Sequence, residues 1–333
     1  MKKNQIILIF ILAIVTVLSF ITSISVGSYN ISFLNFLTNQ LSEIERIVLI
    51  EIRIPRVILA GFVGGALALS GASLQGIFRN PLAEPGLIGV SAGAALGAAT
   101  AIVIGSSIFP VILVKYMIPV SAMIGSLIVI VMLFIITKNF GYNSVTYLLL
   151  SGIAINAFVG VGIGLLTYIS DESELRGLTF WTMGSFGGAN LEIILPSIII
   201  ILLCMIWKFN FSRKLDIIQL GENEAYRLGI NVKRLKIHVI VSSAIIVGSG
   251  VSLAGMIGFV GLIVPHMVRI MCGNNHNYVL KGSTLLGASL MMVSDMLCRI
   301  IIEPAELPVG LITSALGAPF FLWLIFKLKN NEY

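Results

Sequence analysis

The sequence predicts an all-α polytopic membrane protein with about ten transmembrane helices. Of its 333 residues, 57% are hydrophobic and only 11% are charged, and the mean hydropathy is +1.03. Soluble domains carry about a quarter charged residues, so this composition excludes an ordinary soluble enzyme. It also excludes a disordered chain and a disulfide-rich scaffold, since only 3 cysteines are present. We therefore expect residues 1–333 to form a single transmembrane domain.

Apolar segments long enough to cross a bilayer recur along the chain. A spanning helix needs about 20 apolar residues, because the hydrocarbon core is about 30 Å thick and each helical residue rises about 1.5 Å. The segments predicted to span on this criterion are Gln5–Val26, Val57–Phe78, Leu87–Ile108, Met117–Thr137, Val145–Ile169, Leu191–Trp207, Leu235–Leu253, Leu280–Leu297 and Val309–Phe326. The shorter segment Ile257–Met271, which Pro265 interrupts, is counted as a tenth span, and nine spans is the alternative.

The first span is predicted to be retained, and both termini are predicted to be cytoplasmic. Its apolar core, Ile6–Ile21, is longer than the roughly 7–15 residues of a signal peptide. With this orientation, 15 of the 21 Lys and Arg residues lie on the inner side of the membrane and 6 on the outer side. The distribution obeys the positive-inside rule. The net charge of +6 therefore reflects topology and does not indicate nucleic-acid binding.

The longest inner connection, residues 208–236, carries 7 of these basic residues. Gly221 can start a helix there, and Gly229 can end one. Glu222 and Glu224 suit the first turn of a helix, where the helix dipole favours negative charge. Two short helices on either side of Gly221 are therefore predicted, as a solvated surface or as a docking element for a cytoplasmic partner. The sequence has no Gly-x-x-x-x-Gly-Lys-[Ser/Thr] loop, so an ATPase motor would be a separate chain.

Two features bring a chain break or a charge to membrane depth. The run Arg79–Gly86 contains two prolines and predicts a break between helices, either a tight surface turn or a gate on a central pathway. Asp295 and Arg299 lie four residues apart on one predicted helix and are expected to pair, although a carboxylate in a span is also typical of proton coupling. The histidines and cysteines are scattered, and no catalytic constellation occurs. Neither a metal site nor an enzyme site is therefore predicted.

A series of motifs resembles the FecCD-type permeases of ABC importers for iron–siderophore complexes, haem and cobalamin. In chain order the motifs are Arg53–Arg56, Gly65–Ala94 (GALALSGASLQGIFRNPLAEPGLIGVSAGA), Phe180–Gly188 (FWTMGSFGG), Leu220–Gly229 (LGENEAYRLG), Gly258–Arg269 (GFVGLIVPHMVR) and Ala305–Gly310 (AELPVG). They appear in the same order as in the family, and the similarity covers essentially the whole chain.

The resemblance implies an architecture and a set of partners. Members of the family have ten spans per subunit, with spans two to five and seven to ten forming inverted halves. The equal spacing of Gly71–Pro81 and Gly255–Pro265 is a faint sign of such repeats. Two copies form a homodimer with the pathway along its interface, two ATPase subunits bind below, and an extracytoplasmic solute-binding protein delivers the chelate. This chain would bind no cofactor, because ATP is used by the partner subunits.

The resemblance also assigns roles to particular residues. The cytoplasmic gate is expected at Asn80, Pro81, Leu82 and Ala83, with a second part at Val145 and Thr146. Docking of the binding protein, rather than a role in the fold, is expected for Arg53, Arg56 and Arg299. Coupling to the ATPase is expected at Leu220, Gly221, Glu222, Ala225, Arg227 and Gly229.

The substrate is harder to infer than the class of transporter. The run Pro85–Ser91 and the pair Leu175–Arg176 look closest to the haem-importing members, and Arg176 is expected near the substrate entrance. Siderophore-importing members more often carry another residue at the position of Gly86. Haem is therefore the favoured substrate, with ferric siderophores and cobalamin as alternatives. An alternative of a different class is a proton- or sodium-coupled secondary transporter that uses Asp295.

Overall fold

The computed structural model describes residues 2–27, 29, 36, 38, 41–105, 108, 110–138 and 145–330, and over these residues it contains helices and no β-strand. The α-helices are α1 (Lys2–Ser25), α2 (Glu43–Ile47), α3 (Ile54–Phe78), α4 (Val90–Thr100), α5 (Val111–Lys138), α6 (Val145–Ile169), α7 (Glu172–Met183), α8 (Leu191–Phe209), α9 (Ser212–Ile218), α10 (Glu222–Arg227), α11 (Val232–Ala254), α12 (Val260–Cys272), α13 (His276–Cys298) and α14 (Val309–Asn330). A π-helical stretch, Val48–Arg53, leads into α3, and another, Ala101–Gly105, extends α4.

Each segment predicted to span the membrane overlaps one of these helices. Within the described residues, six stretches are long and apolar enough to cross a bilayer: Lys3–Ser25, Glu43–Phe78, Tyr116–Lys138, Thr146–Ile169, Leu191–Phe209 and Val232–Ala254. Shorter apolar helices are Val90–Gly105, Val260–Cys272 and Val309–Leu324. The all-helical, multi-pass class is therefore confirmed. The count of ten spans and the inverted halves stay predictions, and Pro265 lies inside α12 whereas Pro81 lies in a turn.

Helix α3 lies at the centre of the packing. Every residue from Val63 to Phe78 is buried, and the helix packs against α1, α8, α11, α12 and α13. A Cβ atom at Gly71 would overlap the carbonyl oxygen of Gly261 in α12. A Cβ atom at Gly64 would likewise overlap the backbone of Gly287 in α13. Membrane helices gain little from the hydrophobic effect, so backbone contacts of this kind supply much of their packing energy.

Helix α1 packs along α13 and forms polar contacts with both α12 and α13. The Gln5 side-chain amide donates to the carbonyl oxygen of Cys272 at 2.6 Å. The Thr16 and Ser289 hydroxyls lie 3.0 Å apart, and the Ser23 hydroxyl donates to a carbonyl oxygen of α13 at 3.0 Å. The predicted first span is therefore part of the helical packing. Its retention in the mature protein stays a prediction.

The chain leaves helical geometry at two places that face each other. After α3, Arg79 takes a left-handed conformation (φ 51°), and a 3₁₀ turn, Pro85–Ile88, precedes α4. After α11, Gly255 (φ 73°) and Phe259 (φ 67°) interrupt the helical path before α12. A cavity of about 130 Å³ lies between the two breaks, with Glu84 among its lining residues. Each break thus obtains protein neighbours, which non-helical backbone requires at membrane depth.

Candidate functional site

An ion-pair cluster joins the start of α3 to the end of α13 and the connection that follows α13. The Arg56 Nε atom donates to Asp295 Oδ1 at 2.9 Å and to Oδ2 at 3.0 Å. The Arg56 Nη1 atom donates to the two carboxylate oxygens of Glu306 at 2.9 and 2.7 Å. A planar guanidinium suits such paired contacts, and each is a charge-assisted hydrogen bond. One arginine therefore binds two carboxylates from two different parts of the chain.

The two other arginines for which docking is expected, Arg53 and Arg299, contact the end of α1. The Arg299 Nη2 atom donates to the carbonyl oxygen of Ser23 at 2.7 Å, and Arg299 Nε lies 3.5 Å from Asp295 Oδ2. The Arg53 Nη1 atom donates to the carbonyl oxygen of Ile24 at 3.0 Å. Carbonyl groups at a helix C-terminus attract cations, which explains both contacts with α1. The Asp295–Arg299 pair predicted from sequence spacing is confirmed.

We call Arg53, Arg56, Asp295, Arg299 and Glu306 the outer cluster, and four of its five members are buried. The three arginines are 5%, 5% and 7% exposed in chain order, and Asp295 is 1% exposed. Only the Glu306 side chain is accessible, at 49%. Arg56, Arg299 and Asp295 tolerate burial because they form ion pairs, and Arg53 does so because it donates to backbone carbonyl oxygens. These arginines therefore contribute to the fold, and the expectation that they have no such role is wrong. Their part in docking stays a prediction.

Arg176, predicted at the substrate entrance, lies outside the outer cluster. It is on α7, which begins with a capping box between Asp171 and Glu174. The hydrogen bond from the Glu174 backbone N–H lowers the pKa of Asp171. The Arg176 side chain is 71% exposed and lies 3.7 Å from Glu172. Surface pairs of this kind contribute little to stability, so Arg176 is available for other contacts.

The segment that follows α7 reaches the outer cluster. A Cβ atom at Gly187 would lie 3.5 Å from Glu306 Oε2 and 3.7 Å from Arg56 Nη1. The Val309 N–H, at the start of α14, donates to the carbonyl oxygen of Gly184 at 3.0 Å. Motifs that are far apart in the sequence therefore meet at one place on the structure.

The predicted gate residues Asn80–Ala83 form a compact turn, which we call the gate turn. The Leu82 N–H donates to Asn80 Oδ1 at 2.9 Å, and the Ala83 N–H donates to the Asn80 carbonyl oxygen at 3.2 Å. Asparagine commonly stabilises turns in this way. Ala83 is fully buried, whereas Leu82 is 42% exposed.

The second predicted gate segment lies at the start of α6. Thr146 is exposed, and the side chain of Val145 lies outside the described residues. Further along α6, the Asn156 side-chain amide donates to the carbonyl oxygen of Gly86 at 3.0 Å. Helix α6 therefore contacts the 3₁₀ turn that follows the gate turn. The role of Thr146 and Val145 in a gate stays a prediction.

The two short helices predicted around Gly221 are present in the structure. Helix α9 ends at Ile218 and α10 begins at Glu222. Gly221 has a φ of 122° and Gly229 has a φ of 82°, both in the region that glycine adopts without strain. The two helices and their glycine boundaries, which were predicted from local sequence, are therefore confirmed.

Contacts that the sequence did not indicate fix the ends of the 208–236 segment inside the protein. Lys236 is 1% exposed, and its Nζ atom donates to Glu222 Oε1 at 2.7 Å. Lys208 is also 1% exposed, belongs to α8, and donates to the Ser243 hydroxyl at 2.7 Å. Long lysine side chains can bury their stems when the ammonium finds a partner. Glu222 therefore has a structural partner as well as a favourable position in the first turn of its helix.

Helix α9 is attached to the helices that flank it on the same side of the molecule. The Gln219 side-chain amide donates to the carbonyl oxygen of Gly76 in α3 at 2.7 Å. The Asp216 carboxylate accepts from the backbone N–H of His276 at 2.8 Å and lies 2.7 Å from His276 Nδ1. Burial lowers the pKa of His276 in spite of this carboxylate. These links could not be predicted from the sequence, since Gln219 and Gly76 are 143 residues apart and no local pattern relates them.

The chain belongs to the FecCD transport family, whose model matches residues 14–327. It is therefore a membrane-spanning permease of the ABC importer type, a transport component rather than a catalytic one. The alternative of a proton- or sodium-coupled secondary transporter is overturned by this membership. It also loses its structural basis, because Asp295 is paired with two arginines.

Similar proteins cover nearly the whole chain. The hemin transport system permease protein HmuU of Yersinia pestis is 42% identical over 323 residues, which are 97% of this chain and 96% of the relative. The vitamin B12 import system permease protein BtuC of Vibrio vulnificus is 36% identical over 87% of this chain and 86% of the relative. The molybdate import system permease protein MolB of Haemophilus influenzae is 34% identical over 97% of this chain and 96% of the relative.

Solved structures show the same fold. An inward-facing transporter assigned to the metal-chelate ABC type matches with a TM-score of 0.86 and 35% identity, over 96% of this chain and 98% of that one. The PsaBC complex of Streptococcus pneumoniae bound to a Fab matches with a TM-score of 0.54 and 19% identity, over 87% of this chain and 94% of that one. At that identity, the second likeness concerns the fold alone.

Replacing Asp295 by Asn should destabilise the protein, because Arg56 and Arg299 share this carboxylate. Removing one partner of a buried ion pair costs about 3–5 kcal/mol. Thermal unfolding of the detergent-purified protein measures the effect, with Glu192→Gln at an exposed carboxylate as the control. An unchanged melting temperature together with lost transport would instead indicate that Asp295 acts in the transport cycle.

Proposed function

We propose that this chain is the transmembrane subunit of an ATP-driven importer for an iron chelate, with haem as its substrate. The observation that carries this proposal is the nearly full-length, 42% identity to a hemin permease. Cobalamin is an alternative substrate, because a vitamin B12 permease is also similar over 87% of the chain. Ferric siderophores are a further alternative, which the motifs shared with the family suggest. Membership of the family supports a transport role. The names of the relatives give different transported compounds.

The assembly that we propose contains two copies of this chain as a homodimer, with the pathway along the interface between them. Two ATPase subunits bind on the cytoplasmic side and hydrolyse the ATP, and an extracytoplasmic solute-binding protein delivers the substrate. Both termini lie in the cytoplasm, and the chain crosses the plasma (inner) membrane ten times. The excess of basic residues on the proposed inner side supports this orientation, at 15 against 6.

The substrate assignment predicts that the importer carries hemin when it is reconstituted in vesicles with its ATPase and the binding protein encoded beside it. Hemin uptake should require ATP and the binding protein, and vesicles without the binding protein are the control. Cobalamin, a ferric siderophore and molybdate are supplied in parallel. Uptake of one of these compounds in place of hemin would reassign the substrate and leave the importer class unchanged.

For the outer side, we propose that the binding protein docks at the outer cluster through Arg53, Arg56 and Arg299. Three guanidinium groups and two carboxylates leave this region with one net positive charge, which favours an acidic partner surface. Arg176 is proposed to lie at the substrate entrance, which its exposure on α7 allows. Charge pairs of this kind chiefly set the rate and the specificity of docking.

For the inner side, we propose that the gate turn narrows the pathway where the two subunits meet, together with Val145 and Thr146 of α6. Support comes from Leu82, an apolar side chain that is 42% exposed on an otherwise packed turn. Pro81 and the Asn80 side chain restrict the turn backbone, so the position of Leu82 is well defined. An exposed apolar side chain on a rigid turn suits a plug that meets its counterpart in the second subunit.

Cysteine substitution tests the gate proposal in a variant that lacks the three native cysteines. Leu82→Cys should crosslink the two subunits in the assembled importer, and the yield should change between the nucleotide-free and ATP-bound states. Ala83→Cys is the matched control, because the neighbouring residue is fully buried and should not crosslink. The absence of crosslinking from Leu82→Cys in every nucleotide state would contradict the gate assignment.

We also propose that α9 and α10 form the contact with the ATPase. Three large apolar side chains, Leu220, Tyr226 and Leu228, are 67%, 76% and 60% exposed there, whereas Ala225 is buried. Exposed apolar groups of this size favour a protein partner. Gly221 and Glu222 lie at the start of α10, and Arg227 and Gly229 lie at its end. The Gln219–Gly76 hydrogen bond then provides a direct route from this surface to the last turn of α3, just before the gate turn.

Two classes of substitution should separate ATPase binding from coupling. Leu220→Ser with Tyr226→Ser should reduce co-purification of the ATPase about tenfold, because apolar anchors dominate interface energies. Gln219→Ala should leave co-purification intact and lower the amount of substrate imported per ATP hydrolysed. Arg234→Gln, at an exposed residue of the next helix, is the control for both assays. Full import per ATP in Gln219→Ala would rule out the route through Gly76.

A further inference from the structure

We infer that Glu306 occupies the position on Arg56 that a carboxylate of the binding protein takes during docking. Docking would then exchange an internal carboxylate for an external one, and Glu306 would act as a built-in competitor. The inference rests on the proposed docking at the outer cluster. It explains how an arginine that is only 5% exposed can still meet a partner protein.

The hydrogen bonds of Arg56 divide between a permanent and an exchangeable partner. Asp295 takes the Nε side of the guanidinium, and its Oδ1 atom also lies 2.9 Å from Arg56 Nη2. Glu306 takes Nη1 with both of its carboxylate oxygens. While both acids are bound, little of the fork is available to a third carboxylate. A partner carboxylate must therefore displace one of them to make a paired contact.

Burial shows which of the two carboxylates can leave. Asp295 is 1% exposed and lies in the last turn of α13 beside Arg299. The Glu306 side chain is 49% exposed and lies in the short connection between α13 and α14. Moving Asp295 would leave two buried arginines without their carboxylate, whereas Glu306 can turn into water. Glu306 is therefore the exchangeable partner.

The charge balance of the outer cluster favours the exchange. Its one net positive charge rises to two when Glu306 turns away, and the Nη1 atom of Arg299 is buried without a hydrogen-bond partner among the described residues. An incoming carboxylate restores the lower charge and the lost hydrogen bonds. The exchange thus conserves the charge of the outer cluster and the charge-assisted hydrogen bonds of Arg56.

The position of Glu306 also connects docking to the helices. It lies three residues before Val309, the first residue of α14, and its carboxylate faces Gly187 in the segment after α7. The Leu307 N–H donates to the carbonyl oxygen of Cys298 at 3.1 Å, which holds the connection in place. Release of Glu306 would therefore change the contacts of the segment after α7 without detaching α14.

The test measures binding of the solute-binding protein to the assembled importer in lipid nanodiscs. Glu306→Gln should lower the dissociation constant about tenfold, because the neutral amide competes less well for Arg56. Glu303→Gln is the matched control, since it removes the same charge from the same exposed connection and should change the constant less than twofold. Glu306→Asp, which keeps the charge on a shorter side chain, should give an intermediate gain.

The outcomes separate this inference from the docking proposal on which it rests. Unchanged or weaker binding in Glu306→Gln, with intact wild-type binding, would show that Glu306 positions Arg56 and would overturn the exchange. If Glu306→Gln and Glu303→Gln lower the dissociation constant equally, the effect comes from net charge alone, and the exchange is also overturned. If Arg56→Gln binds the solute-binding protein as tightly as the wild type does, docking at the outer cluster is refuted. If Glu306→Gln fails to assemble, Glu306→Asp against Glu303→Gln decides the question.

Discussion

The close packing of α3 against its neighbours is the constraint on which the rest of the structure depends. This helix is buried from Val63 to Phe78. Its contact with α12 requires a glycine at position 71, and its contact with α13 requires one at position 64. In a bilayer, lipid chains and leucine side chains are almost equivalent surroundings, so helices associate through close backbone approach and polar contacts. Small residues on α3 allow the close backbone approach, and hydroxyl and amide side chains on α1 supply part of the polar contacts.

The same helix carries a candidate functional element at each end. Arg56 in its first turn organises the outer cluster, and the gate turn follows its last residue, Phe78. Gln219, which lies between the two short helices, donates to the carbonyl oxygen of Gly76 close to that end, so this segment contacts α3 directly. A tightly packed helix transmits displacement with little deformation, because protein interiors are dense and poorly compressible. Helix α3 therefore connects the elements that we propose for docking, gating and coupling.

Among the described residues, the fold supplies partners for the charged side chains that it buries. Arg56 has two carboxylates, Lys236 has Glu222, and Lys208 has the Ser243 hydroxyl. The pairs of Arg56 link segments more than 200 residues apart, and the pairs of Lys236 and Lys208 each link two neighbouring helices, so the burial of charge also ties helices together. Removing one partner is costly at such positions, whereas an exposed pair such as Glu172–Arg176 contributes little.

The sequence by itself determined the features that depend on local composition. Hydropathy predicted the helical membrane class and the bounds Val145–Ile169 of α6, and positive-φ glycines delimit the two short helices around Gly221 as predicted. Only the tertiary structure decided that Glu306 shares Arg56 with Asp295, since these acids lie 250 and 239 residues from the arginine. Local patterns report dihedral preferences and the side that faces lipid. They do not report which distant helices approach closely, and that approach decides whether a charged residue is exposed to a partner or already paired inside the fold.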